Sequence, residues 1–167
     1  MAEVFKNNED LIEVNQQWLD YLKEEAKKSP NRRARLLMHH SLQDPVQEMI
    51  IAFCKDSTVT VHRTPKRSES LQVVEGEVLI VMFDEGGNIT HRFEMGPLGS
   101  GKTFIYRIKS VPWHMVIPLT DIVVIHESLQ GPFEKVDECF PTWIPQDTLS
   151  NKIFIDHILK NQNRIIC

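Results

Sequence analysis

No apolar run in the 167 residues approaches the ~20 needed to cross a bilayer. The opening, MAEVFKNNEDLIEVNQQ, also lacks the basic-then-apolar order of a secretory signal. The sequence therefore predicts no membrane insertion and a cytoplasmic protein. Cysteine is scarce: Cys54, Cys139 and Cys167 are odd in number and far apart, which argues against a disulfide framework or a cysteine zinc knuckle. Charge of one sign is missing as well. With 19 Lys and Arg against 23 Asp and Glu, the formal charge of -4 gives no global pull toward nucleic acid or anionic membrane. Internal repeats and low-complexity tracts are absent. What remains, 41% hydrophobic and 25% charged residues, is the balance of a globular chain, and its length fits one domain of about 100 to 200 residues.

What is present begins with a helical pattern. Over residues 8–28, Leu11, Ile12, Trp18, Leu19 and Leu22 recur at spacings of three, four and seven, which predicts an amphipathic helix. Asn8 stands where a cap would, Glu9 and Asp10 fall in the first turn and Lys27 and Lys28 in the last, and Pro30 stops it. Arg32, Arg33 and Arg35 form the one local concentration of positive charge. A solvated helix-to-strand connection is the favoured reading, with an anion contact near a pocket as the other.

From residue 46 to 128 the texture turns to short segments rich in Val, Ile, Phe and Thr, broken by Asp, Gly, Pro and Asn. Strands are predicted at 47–54, 58–62, 70–75, 78–83, 89–95, 103–108, 113–117 and 122–127. Eight short strands joined by tight turns point to a mainly β fold, an antiparallel barrel or jelly-roll sandwich, rather than to alternating βαβ units. A loop at 131–145 and a short helix at 151–160 follow. Residues 1–45 thus read as a helix and connection packed on the barrel, 46–130 as the barrel, and 131–167 as a C-terminal loop and helix, all within one domain.

One motif is deceptive. Gly96 to Thr103, GPLGSGKT, fits the phosphate-binding pattern G-x-x-x-x-G-K-[ST] at every fixed position. That mechanism needs a helix beginning at the lysine, whose N-terminal amides and dipole hold the phosphates. Here Thr103-Phe104-Ile105-Tyr106-Arg107-Ile108 follows, β-branched and aromatic residues in alternation, so the glycine-rich piece reads as a link between two strands.

The chemistry rests on His62, Glu69 and His114. Two imidazoles and one carboxylate make a mixed donor set suited to manganese, iron, nickel, cobalt or zinc. Such an ion acts as a Lewis acid or lowers the pKa of bound water. Alternation lets only one parity of each strand face a cavity, so Tyr106 and His114 facing inward would turn Arg107 and Trp113 outward.

The run His62-x-Thr64-x4-Glu69-x6-Gly76, followed about 45 residues later by Trp113-His114, resembles the two cupin motifs. More specifically, the chain is similar to the WbuC-type cupin-fold metalloproteins. The similarity runs through Ser29-Pro30-Asn31-Arg32-Arg33, Met38-His39-His40-Ser41, Asp44 to Met49, Glu69-Ser70, Val81 to Asp84, Tyr106-Arg107-Ile108, Trp113-His114, Gly131-Pro132-Phe133 and Pro141-x-Trp143-x-Pro145. It implies a double-stranded β-helix barrel, a divalent metal bound inside by His62, Glu69 and His114, a homodimer, and bacterial genes that accompany O-antigen synthesis. It implies no particular reaction, since the same barrel hosts isomerases, epimerases, lyases, dioxygenases and pure binders.

Two departures stand out. The first motif expects His-x-His and has Thr64 at the second position. The second motif expects Pro-x-Gly-x-x-His, and Lys109 to His114 lacks the glycine. His39, Gln47 and His126 are candidates for a substitute ligand or the pocket wall, with His39, Gln47, Thr64 and Tyr106 the preferred pocket residues. His40, His91 and His157 have no such support. The expected function is a small-molecule cupin with a divalent metal, acting on a sugar or nucleotide-sugar precursor of surface polysaccharide. The alternative is a metal-free binding or regulatory barrel, and a P-loop nucleotide binder stands third.

Overall fold

Two sheets face each other across an apolar interior in a computed structural model, which describes residues 3–57, 59–134, 138–144 and 147–160. The elements are β1 (Glu3–Lys6), α1 (Gln16–Lys28), β2 (Arg33–Leu37), β3 (Val46–Cys54), β4 (Glu69–Glu75), β5 (Val78–Phe83), β6 (Ile89–Met95), β7 (Ile105–Ile108), β8 (Trp113–Pro118), β9 (Ile122–Gln130) and α2 (Thr148–Lys160). One sheet has the order β1-β2-β3-β9-β4-β7 and the other β6-β5-β8. All pairings between strands are antiparallel except that of β1 with β2. An isolated bridge between His62 and His114 adds the segment around His62 to the edge of the smaller sheet beside β8.

Alternation along the strands divides the apolar residues into three layers. Met49, Ile51 and Phe53 of β3, Leu71 and Val73 of β4, and Val123 and Ile125 of β9 face inward to meet Ile80, Met82 and Val116 of the other sheet. On the outer face of the larger sheet, Ala34, Leu36, Ile50, Ala52, Cys54 and Val124 pack under Leu19, Leu22 and Ala26 of α1. On the outer face of the smaller sheet, Leu79, Val81, Phe83, Trp113, Met115 and Ile117 pack under Ile144 and Ile158, with Phe154 and Ile155 of α2 alongside. Strands buried on both faces read as continuous apolar runs, which is the pattern of β5, VLIVMF, and β8, WHMVIP.

Several boundaries differ from those expected. The first helix begins at Gln16, capped by Asn15, whose side chain accepts from the amides of Gln17 (3.1 Å) and Trp18 (3.3 Å). Asn8 does not cap it, because Asn7 holds the preceding chain in its own turn: its Oδ1 accepts from Glu9 N at 2.9 Å and its amide donates to Glu9 O and Met38 O. Residues 33–37, expected as a solvated connection, form β2, paired on both sides. Residues 59–62 make only the His62 bridge instead of a strand, and Thr58 lies outside the described residues, as do Pro145 and Cys167. The strand expected at 103–108 shortens to β7, the last barrel strand extends to Gln130, and the C-terminal helix starts at Thr148. There Asp147 Oδ1 accepts from Ser150 N at 2.9 Å and offsets one open amide of the first turn.

The glycine-rich piece lies between β6 and β7, and no helix follows Lys102. Its ammonium is held by Glu77 at 2.6 Å and Glu94 at 2.7 Å, so the group that would reach a phosphate is already paired. Gly76, between β4 and β5, has φ +76°, and a Cβ there would collide with the carbonyl of Ile122 and lie 2.6 Å from Thr120 Oγ1. The turn that passes the chain from one sheet to the other therefore requires glycine.

Candidate ligand site

A cavity of about 690 Å³ opens between the sheets. Because the inward parity of β3, β4 and β9 is odd, Gln47, Met49, Ile51, Phe53, Glu69, Leu71, Ile125, Glu127 and Leu129 line it from the larger sheet. His114 and Val116 of β8 face them, joined by Val59, Thr60, His62 and Thr64.

His62 and His114 are brought side by side by the bridge between their backbones, with N···O distances of 3.1 and 3.0 Å. Their ring centroids are 4.6 Å apart. In each, Nδ1 contacts a carbonyl two residues earlier, Thr60 O at 2.9 Å and Pro112 O at 3.1 Å. A carbonyl only accepts, so Nδ1 carries the proton and donates, and Nε2 keeps its lone pair. Burial favours the neutral rings. It pushes His62 down to about 4, with the neighbouring His114 adding to the effect, and lowers His114 in the same direction.

Glu69 is buried, and its Oε1 accepts from the Tyr106 hydroxyl at 2.7 Å. Burial raises its carboxyl, opposed by the Tyr106 bond and by His62. Tyr106 is itself driven well above its ordinary value, first by burial and then by Glu69. Tyr106 thus stands behind Glu69 rather than in the cavity wall, and Trp113, of the other parity from His114, points outward to donate to Glu85 at 3.0 Å.

The remaining expected residues separate into two groups. Gln47 lines the cavity and is fixed by donating to Ser41 O and Asp44 O, both at 3.0 Å. His39 also lines it, its Nδ1 lying 3.0 Å from both N and O of Glu48. Thr64 lines it with a buried hydroxyl that has no hydrogen-bond partner. His126 has even parity, is not in the wall, and its Nε2 pairs with Glu48 Oε1 at 2.8 Å, so it is neither a substitute ligand nor a wall residue.

Among the charged wall residues, sequence reasoning missed Glu127 and Glu138 and gave Arg33 and Arg35 only in the less favoured reading of an anion contact near a pocket. Glu127, on β9, is pushed up to about 8 by burial, with Glu69 adding and Arg35 and Arg33 opposing. Arg35 and Arg33 themselves also line the cavity. Glu127 shares its parity with Ile125 inside the strand expected at 122–127, and treating 33–37 as a strand would have put Arg33 and Arg35 on one face.

The two imidazoles fit a divalent ion: neutral, oriented by carbonyls on the far nitrogen, and adjacent. The full three-donor set is not assembled, because among the described residues no group of three His, Cys, Asp or Glu is gathered closely enough to hold an ion.

A family description, a domain of unknown function (DUF6016), matches residues 14–95, just under half of the chain. No curated protein sequence matches. Among solved structures, the chain is similar to a protein of Shewanella oneidensis, with 11% identity and a TM-score of 0.56 over 78% of this chain and 85% of that one. It is similar to an oxalate oxidase in complex with the substrate analogue glycolate, with 16% identity and a TM-score of 0.51 over 81% and 74%. The fold is the cupin jelly roll. A cupin superfamily protein of Desulfitobacterium hafniense also matches, at 13% identity and a TM-score of 0.47 over 61% and 80%. Across the first matched structures the chain spans from 52% to 85% of the other's length. At these identities the likeness concerns the cupin barrel and not its chemistry.

Proposed function

We propose that this cupin binds a small molecule in the cavity between its sheets, beside a divalent ion on His62 and His114, with Glu69 on the facing sheet of the same cavity. The observation that carries the reading is the pair of adjacent neutral imidazoles, each turned by a carbonyl on Nδ1 so that Nε2 is left to accept an ion. The ion would supply Lewis acidity toward a carbonyl or carboxylate oxygen of the ligand. The chain's own residues would orient that ligand and exclude water from it: Gln47 and His39 on one wall, Leu71, Val116 and Ile125 around it. The resemblance of its sequence motifs to the WbuC-type proteins supports a saccharide-bearing ligand and a homodimer.

A second reading is favoured by Thr64, whose unpartnered hydroxyl stands where the cupin motif expects an imidazole, and by the ungathered third donor. In that reading the barrel binds its ligand without metal. Elemental analysis of untagged protein, with His62→Ala and His114→Ala variants checked for folding, separates the two. Near-stoichiometric metal that vanishes in both variants is the expected result. Wild type that stays metal-free after incubation with manganese, iron, nickel, cobalt and zinc would overturn the metal reading.

A further inference from the structure

β2 carries two arginines at alternate positions, so both side chains leave the same face of the strand. That face is the cavity face: Arg33, Arg35 and Leu37 line the cavity, whereas Ala34 and Leu36 between them pack beneath α1. Nε of Arg33 and Nε of Arg35 are both buried with no hydrogen-bond partner among the described residues. Among the described residues, neither guanidinium forms an ion pair.

Two like charges in one wall, with open donors, are costly unless something of opposite sign meets them. Burial and the neighbouring Arg35 both work against the charge on Arg33. Neither acidic partner among the described residues of the cavity pairs with them. Glu138 and Glu127 line the same cavity and act on Arg33 through space, but neither reaches ion-pair distance, and burial holds Glu127 largely protonated at neutral pH. Glu69 is engaged by Tyr106. The third arginine of the cluster, Arg32, is different: it faces outward, where Asp56 holds its Nε at 3.0 Å.

We propose that Arg33 and Arg35 form an oxyanion subsite, and that the ligand of the cavity is a small organic molecule bearing a carboxylate or phosphate group. Guanidinium forks match both groups by paired N–H donors, and they do so best where water is excluded. The apolar wall of Leu37, Met49, Ile51 and Phe53, of which Phe53 and Ile51 pair across the strands with Arg33 and Arg35, would then cover the uncharged part of the molecule. This inference rests on the reading of the cavity as the ligand site, but not on the metal.

The test is calorimetric titration of chelator-treated, full-length protein with malonate and with inorganic phosphate, at an ionic strength fixed by chloride. Malonamide serves as the uncharged counterpart. Saturable binding of at least one oxyanion is expected, with none for malonamide, and the stronger of the two identifies the group. Arg33→Met and Arg35→Met should each weaken it about tenfold or more, while Arg107→Gln, on the exposed side of β7, should leave it unchanged. Each Met variant should melt no lower than wild type without anion, since it removes one of two crowded charges. Should a Met variant not fold, Arg35→Lys keeps the charge but loses the fork and should still weaken binding. No saturable binding of either oxyanion, or binding that both arginine variants leave intact, would overturn the inference. Thr64→Phe, which fills the cavity away from β2, tests the underlying reading separately. Binding that follows the arginines yet survives this plug would put the anion outside the cavity and sink both. Binding removed by the plug but indifferent to the arginines would sink the subsite alone.

Discussion

Glu127 and His62 pull the pH dependence of folding in opposite directions. For Glu127, burial raises the folded carboxyl from its ordinary 4.5 to about 8. The folded state therefore binds more protons over that span, and its stability falls as pH rises through it. For His62, burial lowers the folded imidazole from 6.5 to about 4, so the unfolded state binds more protons and stability falls as pH drops over that range. Above 6.5 only the Glu127 contribution of these two remains. Glu127→Gln in metal-free protein should thus flatten the loss of stability between pH 6.5 and 8, and His62→Gln the loss between 6.5 and 4. Urea melts across pH check both, and parallel profiles for wild type and Glu127→Gln would show that the buried carboxyl titrates normally. The candidate histidines were legible because they sit in a recognisable spacing. Glu127 was not, and Arg33 and Arg35 were legible only as the less favoured anion contact, since a charged residue announces a wall position only once the strand's parity and neighbours are known.

Among the elements, α1 shows how much a short amphipathic helix contributes by covering a sheet. Leu22 is fully buried among Ala34, Leu36, Ile50 and Val124. Leu22→Ala leaves a cavity that neighbouring strands cannot close, so a loss of about 2–5 kcal/mol is expected in equilibrium denaturation. The glycine-rich link between β6 and β7 predicts an absence of effect. ATP with magnesium should not raise the melting temperature, and Lys102→Ala should leave stability close to that of wild type, because its ion pairs with Glu77 and Glu94 are partly solvated. A nucleotide-dependent shift abolished by Lys102→Ala would reinstate phosphate binding there. The strands at 78–83 and 89–95 were read with their final bounds because apolar runs and Gly-bearing turns mark them locally. β1 and β2 were missed because their pairing partners, not their own composition, make them strands.

For the whole molecule, a bound ion and the fold are linked. Metal on His62 and His114 would stabilise the folded state by mass action, about 2.7 kcal/mol at a hundredfold excess over the dissociation constant. A melting temperature that climbs with added zinc or manganese in wild type and stays flat in His114→Ala is the expected result. Equal shifts in both would trace the ion to another place. The sequence by itself determined the mainly β jelly roll, the helix that covers it, the strand character after Lys102, and the identity of the two histidines, because periodicity and turn chemistry are local properties of the chain. Only the tertiary structure decided which charged residues share the cavity, that Tyr106 engages Glu69, that His126 is taken by Glu48, and that the third donor stands apart. Those facts depend on register between strands distant in sequence, where a shift of one residue turns every side chain to the other face.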